Sequence, residues 1–169
     1  MDKWDSLQRS VFALGLAQTV LPVLEKSSEY GFAGQVLDMC WQWVEQRNVD
    51  RRVLFFLYHD EDDTGVEPIM SAEQDPRIWG AWGCVGLALI YTAYCAYTIN
   101  GEQSVPETLE SAESGELFDE FTKCYEMAGG EASLPGLFSP FVDTPPEGQY
   151  TRQGVTATVS CLLTQTHKE

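Results

Sequence analysis

The sequence predicts an all-α fold, a compact bundle of five to six helices around a buried central helix at about residues 77–100. Two observations support this prediction. Apolar side chains recur at helical spacing along most of the chain, and the 22 residues from Ile78 to Ile99 carry no formal charge. With 169 residues, 44% of them hydrophobic, the chain is long enough for one domain with a sizeable core. We therefore expect residues 1–169 to form a single domain.

The first 59 residues are predicted to form three helices. Residues 5–26 carry apolar side chains at helical spacing, and Pro22 should kink this helix or end its first part. Residues 27–34 (SSEYGFAG) predict a turn. Residues 35–47 show a second helical stripe. Residues 50–59 have the length of a short helix, although a buried strand would show a similar apolar run.

The central segment is long and apolar enough to be a candidate membrane span. We favour a buried core helix, because the flanking residues are mostly acidic and no positive cluster fixes a membrane topology. Gly80, Gly83 and Gly86 would let a neighbouring helix approach this segment closely. The polar residues 60–76, which precede it, predict a loop.

Four tryptophans are open to two interpretations, a ligand-binding cage or parts of the core. Trp41 lies on a helical apolar stripe, and Trp79 and Trp82 open the most apolar segment. These positions favour the core. Trp43 lies off the stripe of its helix, and we expect it to be the most exposed of the four.

The C-terminal part is predicted to contain one more clear helix and an ambiguous tail. Residues 105–127 have one apolar seam, and Pro106 suits a first helical turn. The outer face carries glutamates at every third position: Glu107, Glu110, Glu113 and Glu116. Residues 129–148 are rich in glycine and proline and predict irregular structure. Residues 150–165 fit a helix or a strand, and we favour the helix.

The negative charge is concentrated in two stretches. The chain has 26 acidic and 10 basic residues, a net charge of −16. Residues 60–75 carry seven acids and no base, and residues 102–131 carry nine acids and one base. This excess argues against nucleic acid and anionic membranes as partners and favours a cationic protein. The candidate contact residues are Asp60, Asp62, Asp63, Glu67, Glu73 and Asp75 in the first stretch, and Glu107, Glu110 and Glu113 in the second.

The sequence offers little for catalysis or cofactor binding, and we predict no catalytic residue, no cofactor and no metal. It lacks GxSxG, GxGxxG, GxxxxGK[ST] and HExxH motifs. Residues 60–65 match the first half of a calcium-binding EF-hand loop, but the twelfth position, normally glutamate, is Ser71. The five cysteines are an odd number without a CxxC pair, which fits a reduced compartment. With no signal peptide visible at the start, we expect a cytoplasmic protein.

Three stretches of sequence carry a resemblance to a known family. They are RSVFALGLAQTVLPVL (9–24), GFAGQVLDMCWQWV (31–44) and DPRIWGAWGCVGLALIYTAYCAYTINGE (75–102). In their order they resemble the all-helical immunity proteins of bacterial polymorphic toxin systems, the family numbered six, and a related family of uncharacterised helical bacterial proteins. The resemblance covers about residues 5–128. After Gly129 the family pattern implies a charged C-terminal helix, which this sequence lacks.

This resemblance implies a protein that stays in the cytoplasm and neutralises one cognate toxin by tight binding to its C-terminal domain, without catalysis. An acidic surface would suit a toxin with a basic cleft. Two alternatives remain open at this point. One is a small hydrolase that reverses a toxin's modification, and the other is an acidic adaptor for another cationic protein.

Overall fold

The structure is a computed structural model that describes residues 4–59, 62, 64–99, 104–143 and 150–166. These residues form nine α-helices, two 3-10 helices and no strand, which confirms the all-α prediction. The α-helices are α1 (Ser6–Val20), α2 (Tyr30–Gln46), α3 (Arg51–Tyr58), α4 (Val66–Ala72), α5 (Pro76–Thr98), α6 (Glu107–Glu110), α7 (Gly115–Met127), α8 (Leu134–Asp143) and α9 (Arg152–Thr166). The 3-10 helices are Leu21–Lys26 and Ser111–Glu113.

Helix α5 is the centre of the fold, as predicted. Of its 23 residues, 17 are buried, and α1, α2, α3, α4 and α7 all pack against it. Asp75 caps its start and Pro76 occupies its first position, where a missing N–H costs no hydrogen bond. By length and composition, α5 and the stretch Ser6–Lys26 are both able to cross a membrane, but 89% of the apolar window of α5 is buried inside this fold. That burial is the property of a core helix.

Helix α1 packs against α5 along most of its length. Its start is fixed by a capping box between Asp5 and Gln8. In the interface the hydroxyl oxygens of Ser10 and Thr92 lie 2.7 Å apart, so these two buried polar groups satisfy each other. The α-helix gives way to a 3-10 helix just before Pro22, as the proline predicts.

Helix α2 begins earlier than predicted, and the segment 50–59 forms a helix, α3, and not a strand. The turn predicted over residues 27–34 is too long, because α2 already starts at Tyr30. Ala33 is fully buried, so tertiary packing of the first turn outweighs the low helix propensity of its glycines. The expectation for Trp43 is also wrong. This ring is 3% exposed, and the guanidinium of Arg47 lies over it at 4.2 Å.

Two segments predicted to be irregular contain helices. The predicted loop 60–76 holds α4, and the predicted irregular segment 129–148 holds α8. Both short helices place a proline, Pro68 or Pro135, in the first turn, where proline is tolerated. Each is held by burial: Val66 in α4 and Leu134, Phe138 and Val142 in α8 are inaccessible to solvent. These additional helices raise the number above the five to six expected.

The segment 105–127 is broken, although it was predicted to be one helix. Ser114 adopts an extended conformation, and its hydroxyl accepts a hydrogen bond from the backbone N–H of Leu117, capping α7. The guanidinium of Arg9 donates to the carbonyls of Ala112 and Glu113 at 2.9 and 3.0 Å. This contact ties the broken stretch to α1.

The C-terminal helices α8 and α9 pack on α1. Gly15 makes this approach possible, because a Cβ atom there would lie 2.8 Å from the ring of Phe138 and 2.9 Å from Val155. The prediction of a helix for residues 150–165 is confirmed by α9. An ion pair between Arg152 and Asp38 joins α9 to α2.

Candidate partner-binding surface

The first acidic stretch surrounds helix α4. Gly65 brings the chain back against the end of α3, where a Cβ atom would lie 2.4 Å from the carbonyl oxygen of Tyr58. Just beyond, the carboxylate of Glu67 lies 2.6 Å from Nδ1 of His59, with both side chains about half exposed. Asp62 is exposed. The candidate residues Asp60 and Asp63 lie outside the described residues.

Two further candidates of this stretch have structural roles. One carboxylate oxygen of Glu73 accepts hydrogen bonds from the backbone N–H groups of Gln74 and Asp75, at 2.7 and 2.8 Å. Asp75 in turn accepts from the N–H of Arg77 at 2.8 Å and caps α5. A carboxylate retains acceptor capacity in such a role. Substitution of either residue would nevertheless disturb the start of the central helix.

The second acidic stretch lies on the short helices before α7. Glu107, Glu110 and Glu113 are all exposed, but the break at Ser114 means that they do not form a straight ridge with Glu116. The hydroxyl of Tyr94 donates a hydrogen bond to the carboxylate of Glu113. Partial burial, with this carboxylate as the next cause, raises the pKa of Tyr94 to about 12.

Two small clefts flank the hydrogen bond between Tyr94 and Glu113. One, of about 400 Å³, is lined by Trp4, Arg9 and Thr98 as well as this pair. The other, of similar volume, is lined by Val105 and Glu110 on the opposite side. Acidic and aromatic side chains around a concave surface suit a lysine or arginine from a partner.

The structure does not unite the two acidic stretches. Asp75 stands at the start of α5, whereas Tyr94, which contacts Glu113, lies 19 residues further along the same helix. At a rise of about 1.5 Å per residue, these positions are roughly 28 Å apart along the helix axis. We define Asp62, Glu67, Glu73 and Asp75 as the α4 patch, and Glu107, Glu110 and Glu113 as the α6 patch.

Three buried cysteines do not have the chemistry of a nucleophile. Cys40, Cys84 and Cys124 are buried. Desolvation raises the pKa of Cys40 to about 12 and that of Cys124 to about 11, and it also raises the pKa of Cys84. Thiols in such surroundings stay protonated and unreactive near neutral pH.

The residues that the structure describes contain no cluster of three or more His, Cys, Asp or Glu side chains that could hold a metal ion. In the EF-hand-like segment, helix α4 begins directly after Gly65. Ser71, at the twelfth position, lies within that helix and supplies no carboxylate.

The sequence interpretation missed a third charged feature, a cleft lined by arginines. Arg47, Arg51 and Arg52 surround a cleft of about 530 Å³ between the end of α2, the start of α3 and the last turn of α5. The signal was present in the sequence: of the six basic residues among the first 59, these three lie within positions 47–52. The near balance of seven acids and six bases over residues 1–59 conceals this cluster.

Comparison with known proteins identifies the family. The family model described as Immunity protein Imm6 matches residues 8–128, a span that includes α5, the α4 patch and the α6 patch, and that ends before α8. No curated protein matches the chain significantly, and neither does any solved structure. The match agrees with the resemblance seen in the sequence and covers more than two thirds of the chain. The chain therefore belongs to the Imm6 family of immunity proteins.

Proposed function

We propose that this protein binds and neutralises one cognate bacterial toxin in the cytoplasm, by covering the toxin's active site or the surface with which it binds its target. The family match over residues 8–128 carries the proposal. The net charge of −16 adds to it, because a surface of this sign attracts a basic toxin domain and speeds its association. Inhibition on this model is stoichiometric binding, not catalysis.

The acidic patches supply the long-range attraction in this proposal. Within the α4 patch, the carboxylates of Glu73 and Asp75 also serve the start of α5, and that of Glu67 also pairs with His59. Asp62 and Glu67 are therefore the two whose substitution spares the start of the central helix. In the α6 patch, Glu110 lines a cleft beside Tyr94. A basic side chain of the toxin could contact the carboxylates of Glu110 and Glu113 and the ring of Tyr94 there.

The first experiment tests the function itself. The toxin domain, which we expect to be encoded directly upstream of this gene, is expressed from an inducible promoter, with and without this protein. We expect growth arrest without the protein, rescue with it, and co-purification of the two chains as a stable complex. Growth arrest that this protein does not relieve, with no complex formed, would refute the proposal.

The second experiment tests whether the acidic patches attract the toxin. Asp62→Asn/Glu67→Gln and Glu107→Gln/Glu110→Gln each remove two charges, and Glu25→Gln/Glu29→Gln is the matched control outside both patches. We expect at least one patch variant to slow association with the toxin domain about threefold or more at low salt and to flatten its salt dependence. On-rates equal to the control for both variants would exclude electrostatic steering by these residues.

A further inference from the structure

The arginine cleft is opposite in sign to the net charge of the chain. Three of the chain's ten basic residues line it, and among its described lining residues Asp50 is the one acid. The carboxylate of Asp50 already accepts the backbone N–H of Arg52 at 2.7 Å and caps α3. The cleft therefore offers a concentrated positive charge within a protein of net charge −16.

The three arginines are held in different ways. Arg47 ends α2: its guanidinium donates to the carbonyls of Trp43 and Val44 at 3.0 and 2.8 Å and covers the Trp43 ring. The guanidinium of Arg51 lies 5.0 Å from the centre of the Tyr97 ring. Arg52 is exposed. Packing fixes the first two, whereas Arg52 is presented to a partner.

The position of Arg51 and Arg52 is unfavourable for folding. They are the first two residues of α3, where the helix dipole already places partial positive charge. Cations at a helix N-terminus lower stability. An incoming carboxylate would suit this helix start and would match the planar donor array of the Arg52 guanidinium.

The outer face of α3 carries apolar side chains beside the arginines. Val53 is 41% exposed and Phe56 is 51% exposed, and Ile99, on the rim of the cleft, is 51% exposed. Arg52 and Phe56 are four residues apart and therefore share one face of the helix. Arginine and aromatic residues together are typical of the centres of protein–protein interfaces. A small anion would need the arginines but not the apolar face.

We propose that α3 is the docking helix for the toxin, and that the arginine cleft receives a carboxylate-bearing segment of the toxin. Phe56 packs into an apolar recess on the toxin, next to that segment. This inference rests on the proposed function and specifies its interface. It assigns the toxin a mixed surface, basic opposite the acidic patches and acidic opposite the start of α3. Charge of both signs fixes the orientation of the complex more strongly than attraction by the acidic patches alone.

The test compares Arg52→Glu with Lys26→Glu, two variants that change the net charge equally. Lys26 is exposed and lies outside the cleft. With the toxin domain encoded upstream as the probe, we expect Arg52→Glu to raise Kd at least tenfold, mainly through faster dissociation, and Lys26→Glu to change it less than twofold. The melting temperature of Arg52→Glu should be unchanged or higher, because glutamate suits a helix N-terminus. Loss of binding through unfolding is thereby separated from loss of the contact.

A charge swap then identifies the contacting group. Each exposed aspartate and glutamate of the toxin domain is changed to arginine, and the variants are tested against Arg52→Glu. We expect one of them to recover at least part of the lost affinity for Arg52→Glu and to bind the wild-type protein more weakly. Phe56→Ala should also weaken binding, whereas Met127→Ala, which truncates another exposed apolar side chain, on α7, should not.

Four results would overturn the inference. If the wild type binds the toxin and Arg52→Glu binds it equally well, the cleft is not part of the interface, although the proposed function stands. If inorganic phosphate at low millimolar concentration saturates the cleft and leaves toxin binding unchanged, the site serves a small anion. If the wild type is a dimer that Arg52→Glu dissociates, the occupant is a second copy of this chain. If the wild type does not bind the toxin, both proposals fail.

Discussion

Among the elements that pack against helix α5, α7 differs from the pair α3 and α4 in how much apolar surface it buries. Helix α7 buries four side chains: Leu117, Phe121, Cys124 and Tyr125. In contrast, α3 buries only Leu54 and α4 only Val66. Burial of apolar surface is the main source of stability, so α7 belongs to the stable core. The pair α3 and α4 is held to α5 by less buried apolar surface. The arginine cleft, Phe56 and the α4 patch all lie on or beside this pair.

Three glycines of α5 show the same difference at atomic scale. A Cβ atom at Gly80 would lie 2.6 Å from the carbonyl oxygen of Cys124, and at Gly83 it would lie 2.5 Å from the Sγ atom of that residue. At Gly86 the nearest atoms belong to the side chains of Val66 and Tyr58, at 3.2 and 3.4 Å. Helix α7 therefore touches the backbone of α5, whereas α3 and α4 contact it through side chains. The predicted role in close helix approach is confirmed for Gly80 and Gly83.

The largest loss of stability is expected for a substitution in the core itself. Trp82 is completely buried, and Trp82→Ala should lower the free energy of unfolding by about 3–5 kcal/mol, through lost burial and an unfilled cavity. Trp79, three residues earlier, is only partly buried, and Trp79→Ala should cost clearly less. Urea unfolding followed by circular dichroism measures both. Equal losses would mean that the side of α5 bearing Trp79 is packed as tightly as its core face.

Much of the fold follows from periodicity, and the exceptions have a common cause. The predicted span 77–100 differs from α5 by one or two residues, because a long uncharged segment with an Asp-Pro start and a glycine after its end leaves few alternatives. Helices α4 and α8 were missed. They have 7 and 10 residues, too short to be stable on propensity alone, and they form because tertiary contacts bury a few apolar side chains. Composition rich in proline and glycine conceals that outcome.

The candidate surface was less predictable than the fold. The sequence located the acidic stretches, but it did not reveal that Glu73 and Asp75 support the start of α5 or that Glu113 binds Tyr94. The role of Asp75 could have been inferred, because aspartate directly before proline is a common helix start. The hydrogen bond joins Tyr94 of α5 to Glu113 of the 3-10 helix Ser111–Glu113, 19 positions later. It depends on how the chain returns to α5 after that helix ends, which no spacing rule predicts.

The second largest loss of stability is expected for Gly80→Ala, which tests the close packing of α7 against α5. Gly80→Ala would place a methyl group against the backbone of Cys124 and Ala128, which cannot move without displacing α7. We expect a loss of about 1–3 kcal/mol from overpacking, partly offset by about 1 kcal/mol from the better helix propensity of alanine. Denaturant unfolding gives the net change. A stabilised variant would show that α7 can shift away from α5 at little cost.

The smallest effect is expected for Gly86→Ala, the matched substitution beneath α3 and α4. The gain in helix propensity is the same as at Gly80, so the difference between the two variants reports packing alone. Here the methyl group meets side chains at 3.2 and 3.4 Å that need to move only a few tenths of an ångström. We expect stability within about 1 kcal/mol of the wild type, in either direction.

Gly86→Ala also tests whether the position of α3 and α4 matters for binding. The substitution presses on the side chains of Val66 and Tyr58, through which we expect it to displace these helices slightly on α5 without altering any exposed side chain. If the toxin contacts Arg52 and Phe56 through a closely fitted interface, the shift should raise Kd a few-fold, while Gly80→Ala should leave it unchanged despite its larger cost in stability. The reverse pattern, with binding sensitive to Gly80 and indifferent to Gly86, would move the toxin-binding surface from α3 to the side of the molecule formed by α7.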